Sequence, residues 1–168
     1  MINNQHVLKK EATVYRKLLC CAVLLTGFLI QGQAMAFSKT LYLFSEVEGT
    51  VLLNGQPVEG VEVEQDYLWH WKDEKGLNKT STDSQGHFRF PAITGRSLTA
   101  GFMPHEPVIT QNIRLRYQGR EYEGWYHSKR DYENLGELDG RPIRLKCDLN
   151  DEPGPHPEIN SFGICTSE

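Results

Sequence analysis

Apolar and polar residues alternate along several stretches of the chain, and a period of two residues is typical of β-strands. The clearest stretch runs from residue 61 to residue 72. One set of alternate positions is apolar or aromatic: Val61, Val63, Tyr67, Trp69 and Trp71. The other set is polar or charged: Glu62, Glu64, Asp66, His70 and Lys72. Because neighbouring side chains of a strand point to opposite faces, we expect a core face and a solvated face. The alternatives are a carbohydrate-stacking platform for the aromatic residues and a surface for a basic partner for the acidic ones.

Turn residues separate this strand from others with the same alternation. Asn54-Gly55 supplies the positive φ values of a two-residue hairpin, and Asp83 to Gly86 forms a second turn. Residues 108–117 alternate again. After Pro142 we expect a last strand whose inward positions are Ile143, Leu145, Cys147 and Leu149. These patterns predict an all-β fold.

The residues around the two turns resemble the carboxypeptidase regulatory-like domains, which are small sandwiches of the transthyretin (prealbumin-like) type. The residues that match at the first turn are Gly49, Val51, Gly55, Pro57, Val58, Gly60, Val61 and Val63. Those that match at the second turn are Thr82, Asp83, Gly86, Phe88 and Phe90. The resemblance implies a seven-stranded, Ig-like antiparallel sandwich, which we place at residues 37–149.

The first 36 residues have the pattern of a secretory signal peptide. A basic segment precedes the apolar run Leu18–Ile30, and Ala34-Met35-Ala36 has the form of a cleavage site. A retained membrane anchor is the alternative, but the apolar run is shorter than the roughly 20 residues that span a bilayer. Cys20 and Cys21 raise the possibility of a lipoprotein, although no small residue precedes them as a lipobox requires. We therefore predict a periplasmic or secreted protein without stable membrane insertion.

Charge and cysteine content narrow the function of the remaining chain, residues 37–168. The whole chain has a net charge of −4, and the first 36 residues hold four basic residues and one acidic residue, which leaves −7. Such a protein lacks the positive charge that binds nucleic acid. Two cysteines remain, Cys147 and Cys165, and an even number in an exported protein predicts a disulfide. We expect it to tie back an irregular, proline-rich tail, residues 150–168.

The residues that two enzyme families of this sandwich type use are missing here. The transthyretin-like hydroxyisourate hydrolases end in Tyr-Arg-Gly-Ser, whereas this chain ends in Cys-Thr-Ser-Glu. The intradiol dioxygenases bind iron with an H-x-H pair, and the histidines of this chain are scattered. No G-x-S-x-G nucleophile motif is present. We expect no catalysis, no metal and no cofactor.

The segment from Trp125 to Gly140 is the candidate binding site. Its charged and irregular pattern predicts a long loop, and long loops on a rigid scaffold often carry binding residues. The residues that we expect to bind are Tyr126, His127, Lys129, Arg130 and Tyr132. We predict an exported, non-catalytic protein that binds another protein in trans, for example an immunity protein that neutralises an antibacterial effector. The alternative is a structural or glycan-binding accessory of the cell envelope.

Overall fold

The structure is a computed structural model that describes residues 39–97, 99–100 and 104–167. The predicted signal peptide, residues 1–36, and its Cys20 and Cys21 lie outside these described residues. In the described part of the chain, no helix has the length and apolar character needed to cross a membrane.

The described chain is all-β, as the alternation predicts. Its strands are β1 (Thr40–Phe44), β2 (Val47–Leu53), β3 (Gln56–Pro57), β4 (Glu62–Trp69), β5 (Glu74–Ser81), β6 (His87–Phe90), β7 (Ile93–Arg96), β8 (Ile109–Tyr117), β9 (Arg120–Lys129), β10 (Ile143–Asp148), β11 (Gly154–His156), β12 (Ser161–Gly163) and β13 (Cys165–Ser167). Two single-turn 3₁₀ helices, Gly136–Leu138 and Pro157–Ile159, lie in the connections.

The strands form three sheets. A six-stranded antiparallel sheet has the order β11-β12-β9-β8-β4-β5. A five-stranded sheet has the order β13-β10-β2-β3, with β6 also paired to β2, and β1 pairs with β7. All pairs are antiparallel except β2 with β10, which run parallel. Because β10 lies beside β2, the C-terminal part of the chain closes onto its first strands.

The two predicted turns form as the residue types require. Asn54 and Gly55 have φ values of 54° and 74°, the positive pair of a tight hairpin. In the second turn, the carboxylate of Asp83 accepts hydrogen bonds from the backbone N–H groups of Gln85 and His87. The two turns place β3 and β6 one after the other along the same edge of β2 in the five-stranded sheet.

The inward faces of all three sheets contribute to one hydrophobic core. Trp69 and Trp125 are almost fully buried there, and the ring of Phe44 from β1 lies 5.7 Å from that of Trp125. The predicted core positions of the last strand, Ile143, Leu145, Cys147 and Leu149, are all buried. The aromatic prediction is therefore confirmed for Tyr67 and Trp69, whereas Trp71 lies beyond the end of β4 and is 37% exposed.

The tail differs from its prediction. The expected disulfide between Cys147 and Cys165 is present. However, the expectation of an irregular tail is wrong, because β11 and β12 extend the six-stranded sheet and β13 pairs with β10. Ile159 and Ile164 are buried and fix the tail to the core. The prolines do not prevent this, since Pro155 lies in the terminal strand of the sheet, where a backbone N–H is not needed.

Candidate functional site

One line of side chains crosses the outer face of the six-stranded sheet. Its members are directly opposite one another on neighbouring strands, in the order Leu77, Asp66, Asn112, Tyr126, Phe162 and Pro155. We call this set the cross-strand row. With about 4.8 Å between neighbouring strands, the row is about 24 Å long.

The cross-strand row holds three of the four large hydrophobic side chains that are exposed in the described part of the chain. Leu77, Tyr126 and Phe162 are 54%, 40% and 42% exposed, and the fourth is Trp71. Single exposed apolar residues are common on protein surfaces, but aligned ones on a polar face are typical of contact surfaces. Tyr126 and Phe162 are direct cross-strand neighbours, so they present a joint aromatic surface.

Two glycines allow the tail to bring Phe162 beside Tyr126. The register of β8 and β9 shifts at Gly124, which lies next to the tail strand β12. A Cβ atom at Gly163 would lie 2.2 Å from the carbonyl oxygen of Gly124, and Gly163 has a φ of 146°. Only glycine accepts both this approach and this conformation. The N–H of Ile164 then donates to the carbonyl of Glu123 at 2.9 Å.

A compensated set of charges lies beside the row on the same face. Glu64 is almost fully buried and forms ion pairs with Lys79 and with Arg116, the latter at 2.9 Å. The hydrogen bond from Lys79 lowers the pKa of Glu64, and Arg116 acts in the same direction against the effect of burial. Asp66 pairs with Arg114 in the same way. The acidic residues of β4 are therefore neutralised by their own sheet, which argues against a purely electrostatic partner.

A depression of about 490 Å³ adjoins the Leu77 end of the row. Leu77 and Lys75 of β5 line one side and Arg114 of β8 lines another. Asn112 donates a hydrogen bond of 2.8 Å to Asp66 within it. The outer face thus combines apolar contact area with hydrogen-bonding groups, as the centres of protein interfaces do.

The structure separates the five residues that the sequence predicts as a binding loop. The strand β9 continues to Lys129, so the prediction of a loop from Trp125 onward is wrong for its first part. Tyr126 points outward and belongs to the cross-strand row, and Arg130 is exposed and pairs with Glu106 at 2.9 Å. His127, Lys129 and Tyr132 are buried, at 5%, 1% and 8% exposure, because they face the core side of the sheet or the loop above it.

Lys129 belongs to a buried ion pair with Glu137. The two side chains are fully buried and their charged atoms lie 2.8 Å apart. The carboxylate of Glu137 also accepts hydrogen bonds from the N–H and hydroxyl groups of Ser45 and from Gln111. Burial raises the pKa of Glu137, but Lys129 and these donors outweigh it, so that the pKa lies below its ordinary value. The pair holds the 3₁₀ turn against β8, β9 and the β1–β2 connection.

His127 also makes contacts that stabilise the fold. Its ring stacks on Trp125 with centroids 5.2 Å apart, and its Nδ1 donates to the carbonyl of Asn160 at 2.9 Å. Burial lowers the pKa of His127, which favours the neutral ring. This imidazole therefore joins the tail to β9.

Tyr132 closes one end of the core through an aromatic cluster. The indole N–H of Trp69 donates to its hydroxyl at 3.0 Å, and His105 contacts the same hydroxyl at 3.0 Å. The ring of Trp71 stacks on His105 with centroids 4.1 Å apart. Because Trp69 is buried and one face of the Trp71 ring is covered by His105, a glycan platform built on the two tryptophans is not supported.

A second cleft, of about 650 Å³, is lined by β2, β6 and β10 of the five-stranded sheet and by Thr80 and Ser81 at the end of β5. Pairing places Arg89, Glu48 and Arg144 side by side on β6, β2 and β10. Glu48 lies 3.4 Å from Arg89, and Glu46 lies 2.8 Å from the same guanidinium group. These exposed charges pair with one another, so the cleft has no concentrated charge of one sign.

Sequence reasoning missed Leu77 and Phe162. The sequence offers one signal of exposure for each residue: Phe162 is an aromatic residue between Ser161 and Gly163, and Leu77 is an aliphatic residue among polar ones. In the described ranges, no group of three or more His, Cys, Asp or Glu residues is arranged to bind a metal.

Comparison with known protein families assigns the chain to one family. Residues 47–152 match a family model described as a domain of unknown function, DUF6795. The match covers more than half of the chain, so the chain belongs to this family. No curated protein and no solved structure matched.

Proposed function

We propose that this member of the DUF6795 family is an exported, non-catalytic β-sandwich of the carboxypeptidase regulatory-like, prealbumin kind that binds a protein partner in trans. The partner contacts the cross-strand row. An immunity protein that blocks an effector in the periplasm is the concrete form of this function. Export is supported by the disulfide between Cys147 and Cys165, because such bonds persist in oxidising compartments.

The observation that carries the proposal is the alignment of Leu77, Tyr126 and Phe162 on one exposed sheet face. Aromatic residues are enriched at the energetic centres of protein interfaces. The face around them is charge-compensated, so a partner gains contact area there without leaving an isolated buried charge. The titratable residues of the predicted loop, His127 and Lys129, serve structural contacts instead, which supports a binding role over a catalytic one.

The test compares three proteins as baits for a periplasmic extract: wild type, the double variant Tyr126→Ser/Phe162→Ser, and the control Trp71→Ser. Trp71 is the matched control because it is exposed to a similar degree and lies off the row. The retained protein is identified, purified and titrated against all three baits by calorimetry. Since the loss of a single hot-spot residue costs about 2 kcal/mol or more, which is about 30-fold in affinity, the double variant is expected to bind at least about 30-fold more weakly even where the two losses are not additive, with the control unchanged.

Two results would refute this function: no stoichiometric protein partner, or equal affinity for wild type and the double variant. Tyr132 is not used as a test position, because its loss would leave the Trp69 N–H without its partner and perturb the core.

A glycan ligand is the second candidate. The adjacent rings of Tyr126 and Phe162, with Asn112 as the next member of the row, offer stacking surface beside a hydrogen-bonding group. Titration with soluble peptidoglycan fragments separates the two candidates. A saturable interaction that the double variant loses, together with no protein partner, would favour the glycan.

A further inference from the structure

The strand β5 forms one edge of the six-stranded sheet. It pairs with β4 on one side, and no described strand pairs with its other side. It is eight residues long and contains no proline. An edge of this kind presents unpaired N–H and C=O groups to which another strand can pair.

The hydrogen-bond pattern shows which residues of β5 face the open edge. The N–H of Thr82 donates to the carbonyl of Val61, its cross-strand partner, at 3.0 Å. Because bonding alternates along an antiparallel pair, the even-numbered residues of β5 bond to β4. On the other side of β4, the N–H of His70 donates to the carbonyl of Val108, which agrees with this alternation. The residues whose backbone groups point to the open edge are therefore Lys75, Leu77, Lys79 and Ser81.

The usual protection of an edge by charge is weak at the centre of β5. The ammonium group of Lys79 turns inward to Glu64 and Glu62. Behind the strand, the ring of Tyr67 covers Gly76, where a Cβ atom would lie 2.3 Å from the ring. The hydroxyl of Tyr67 donates to Glu74 at 3.0 Å and holds the ring there. The strand is thus supported from the core side while its edge stays accessible.

We propose that β5 accepts an extended segment of the protein partner as a seventh, antiparallel strand of this sheet. The inference rests on the proposed function, since Leu77 is both the end of the cross-strand row and the centre of the edge. The side chains of β5 determine which segment fits this edge. The segment carries an apolar residue opposite Leu77 and an acidic residue opposite Lys75, because Lys75 forms no ion pair with any described residue. A second copy of this chain fits less well, because pairing centred on Leu77 places Lys79, which is already paired with Glu64 and Glu62, opposite Lys75 and gives Lys75 no acidic partner.

The probe is a synthetic peptide, acetyl-Thr-Glu-Thr-Val-Thr-Glu-Lys-amide, whose valine lies opposite Leu77 in antiparallel pairing. Amide hydrogen exchange is followed by NMR on the full chain with and without the peptide. Strand addition predicts an alternating result. The N–H groups of Leu77 and Lys79 become protected by the peptide, whereas those of Gly76 and Asn78, already bonded to β4, change little.

Two controls test the backbone and the charge separately. A peptide with proline in place of valine cannot donate at the central position and is expected to give no protection. The variant Lys75→Glu is expected to weaken binding of the original peptide by about two- to fivefold. A peptide with lysine opposite position 75 should restore the affinity of that variant.

The proposal is overturned if the edge-facing amides gain no protection at millimolar peptide, or if the proline peptide protects them equally. Protection of even- and odd-numbered amides alike would also refute it, because that result indicates general stiffening. The variant Tyr126→Ser/Phe162→Ser leaves β5 unchanged, so edge protection in that variant tests strand addition alone. Loss of the proposed function is seen instead in the partner titration.

Discussion

Replacing Glu137 by Gln is expected to destabilise the protein strongly, because it breaks the buried ion pair with Lys129. The carboxylate accepts from Ser45 N–H and Gln111 through one oxygen, and from the Ser45 hydroxyl and Lys129 through the other. An amide has one accepting oxygen. Either orientation therefore points an NH₂ group at two donors and leaves Lys129 with the partly exposed carboxylate of Asp131, 3.3 Å away, as its charged partner.

The magnitude follows from the burial of both side chains, whose exposure is 0%. Removal of one partner from a buried ion pair costs about 3–5 kcal/mol. The total stability of a domain of this size is about 5–15 kcal/mol, so the variant loses a large fraction of it. The control is Glu133→Gln, which breaks an exposed pair with Lys39, and exposed pairs contribute about 0–1 kcal/mol.

Urea unfolding at pH 7, followed by tryptophan fluorescence, measures both variants against wild type. Repeating the unfolding at several pH values tests the sign of the pH dependence of stability. Because the folded state lowers the pKa of Glu137, the carboxylate contributes stability above its unfolded value of about 4.3, and this contribution is lost as the pH falls through the folded pKa. The difference between wild type and Glu137→Gln should therefore shrink in acid.

Two outcomes would refute this reasoning. One is a loss below about 1 kcal/mol for Glu137→Gln, equal to that of the control. The other is a difference from wild type that grows as the pH falls. A double-mutant cycle with Lys129→Met gives a further check, since coupled residues should show a non-additive free energy.

Three further changes have expected outcomes. Cys165→Ser removes the disulfide to Cys147, which joins residues 18 apart in the sequence, and should lower the free energy of unfolding by about 3 kcal/mol, measured by thermal unfolding. Wild type in reductant should match the variant. A wild-type melting temperature that does not change with reductant would contradict this prediction. Burial and then the hydrogen bond to Glu74 raise the pKa of Tyr67 to about 12, so its tyrosinate absorbance should develop last, and Tyr67→Phe should remove that step. Since unfolded tyrosine titrates near 10, stability should fall as the pH rises from about 10 to 12 in wild type but less in the variant. Gly76→Ala displaces the Tyr67 ring and should cost about 1–3 kcal/mol in urea unfolding, whereas an unchanged midpoint would show that the ring moves freely.

Several features of this protein followed from local sequence. Alternation along residues 61–69 predicted a strand with Trp69 in the core, because the two faces of a strand are set by its own backbone geometry. Asn54-Gly55 predicted its hairpin for the same kind of reason, since positive φ is a property of the residue type. The disulfide followed from the cysteine count of the predicted mature chain.

The candidate site did not follow from local sequence. Residues 126–132 contain charged and aromatic types that favour exposure, yet three of the seven are buried. Lys129 pairs with Glu137, Tyr132 contacts Trp69, and His127 bonds to the tail at Asn160. Those contacts join positions that are far apart in the chain or on different elements, and alternation carries no information about them.

Composition and period-two alternation by themselves determined the all-β class, the main turns and much of the core. The tertiary structure alone decided which strands are neighbours, that β10 runs parallel to β2, and that Leu77 and Phe162 share one row. The physical reason is that side-chain direction is set within a strand, whereas register is set between strands by packing and hydrogen bonds across long sequence distances.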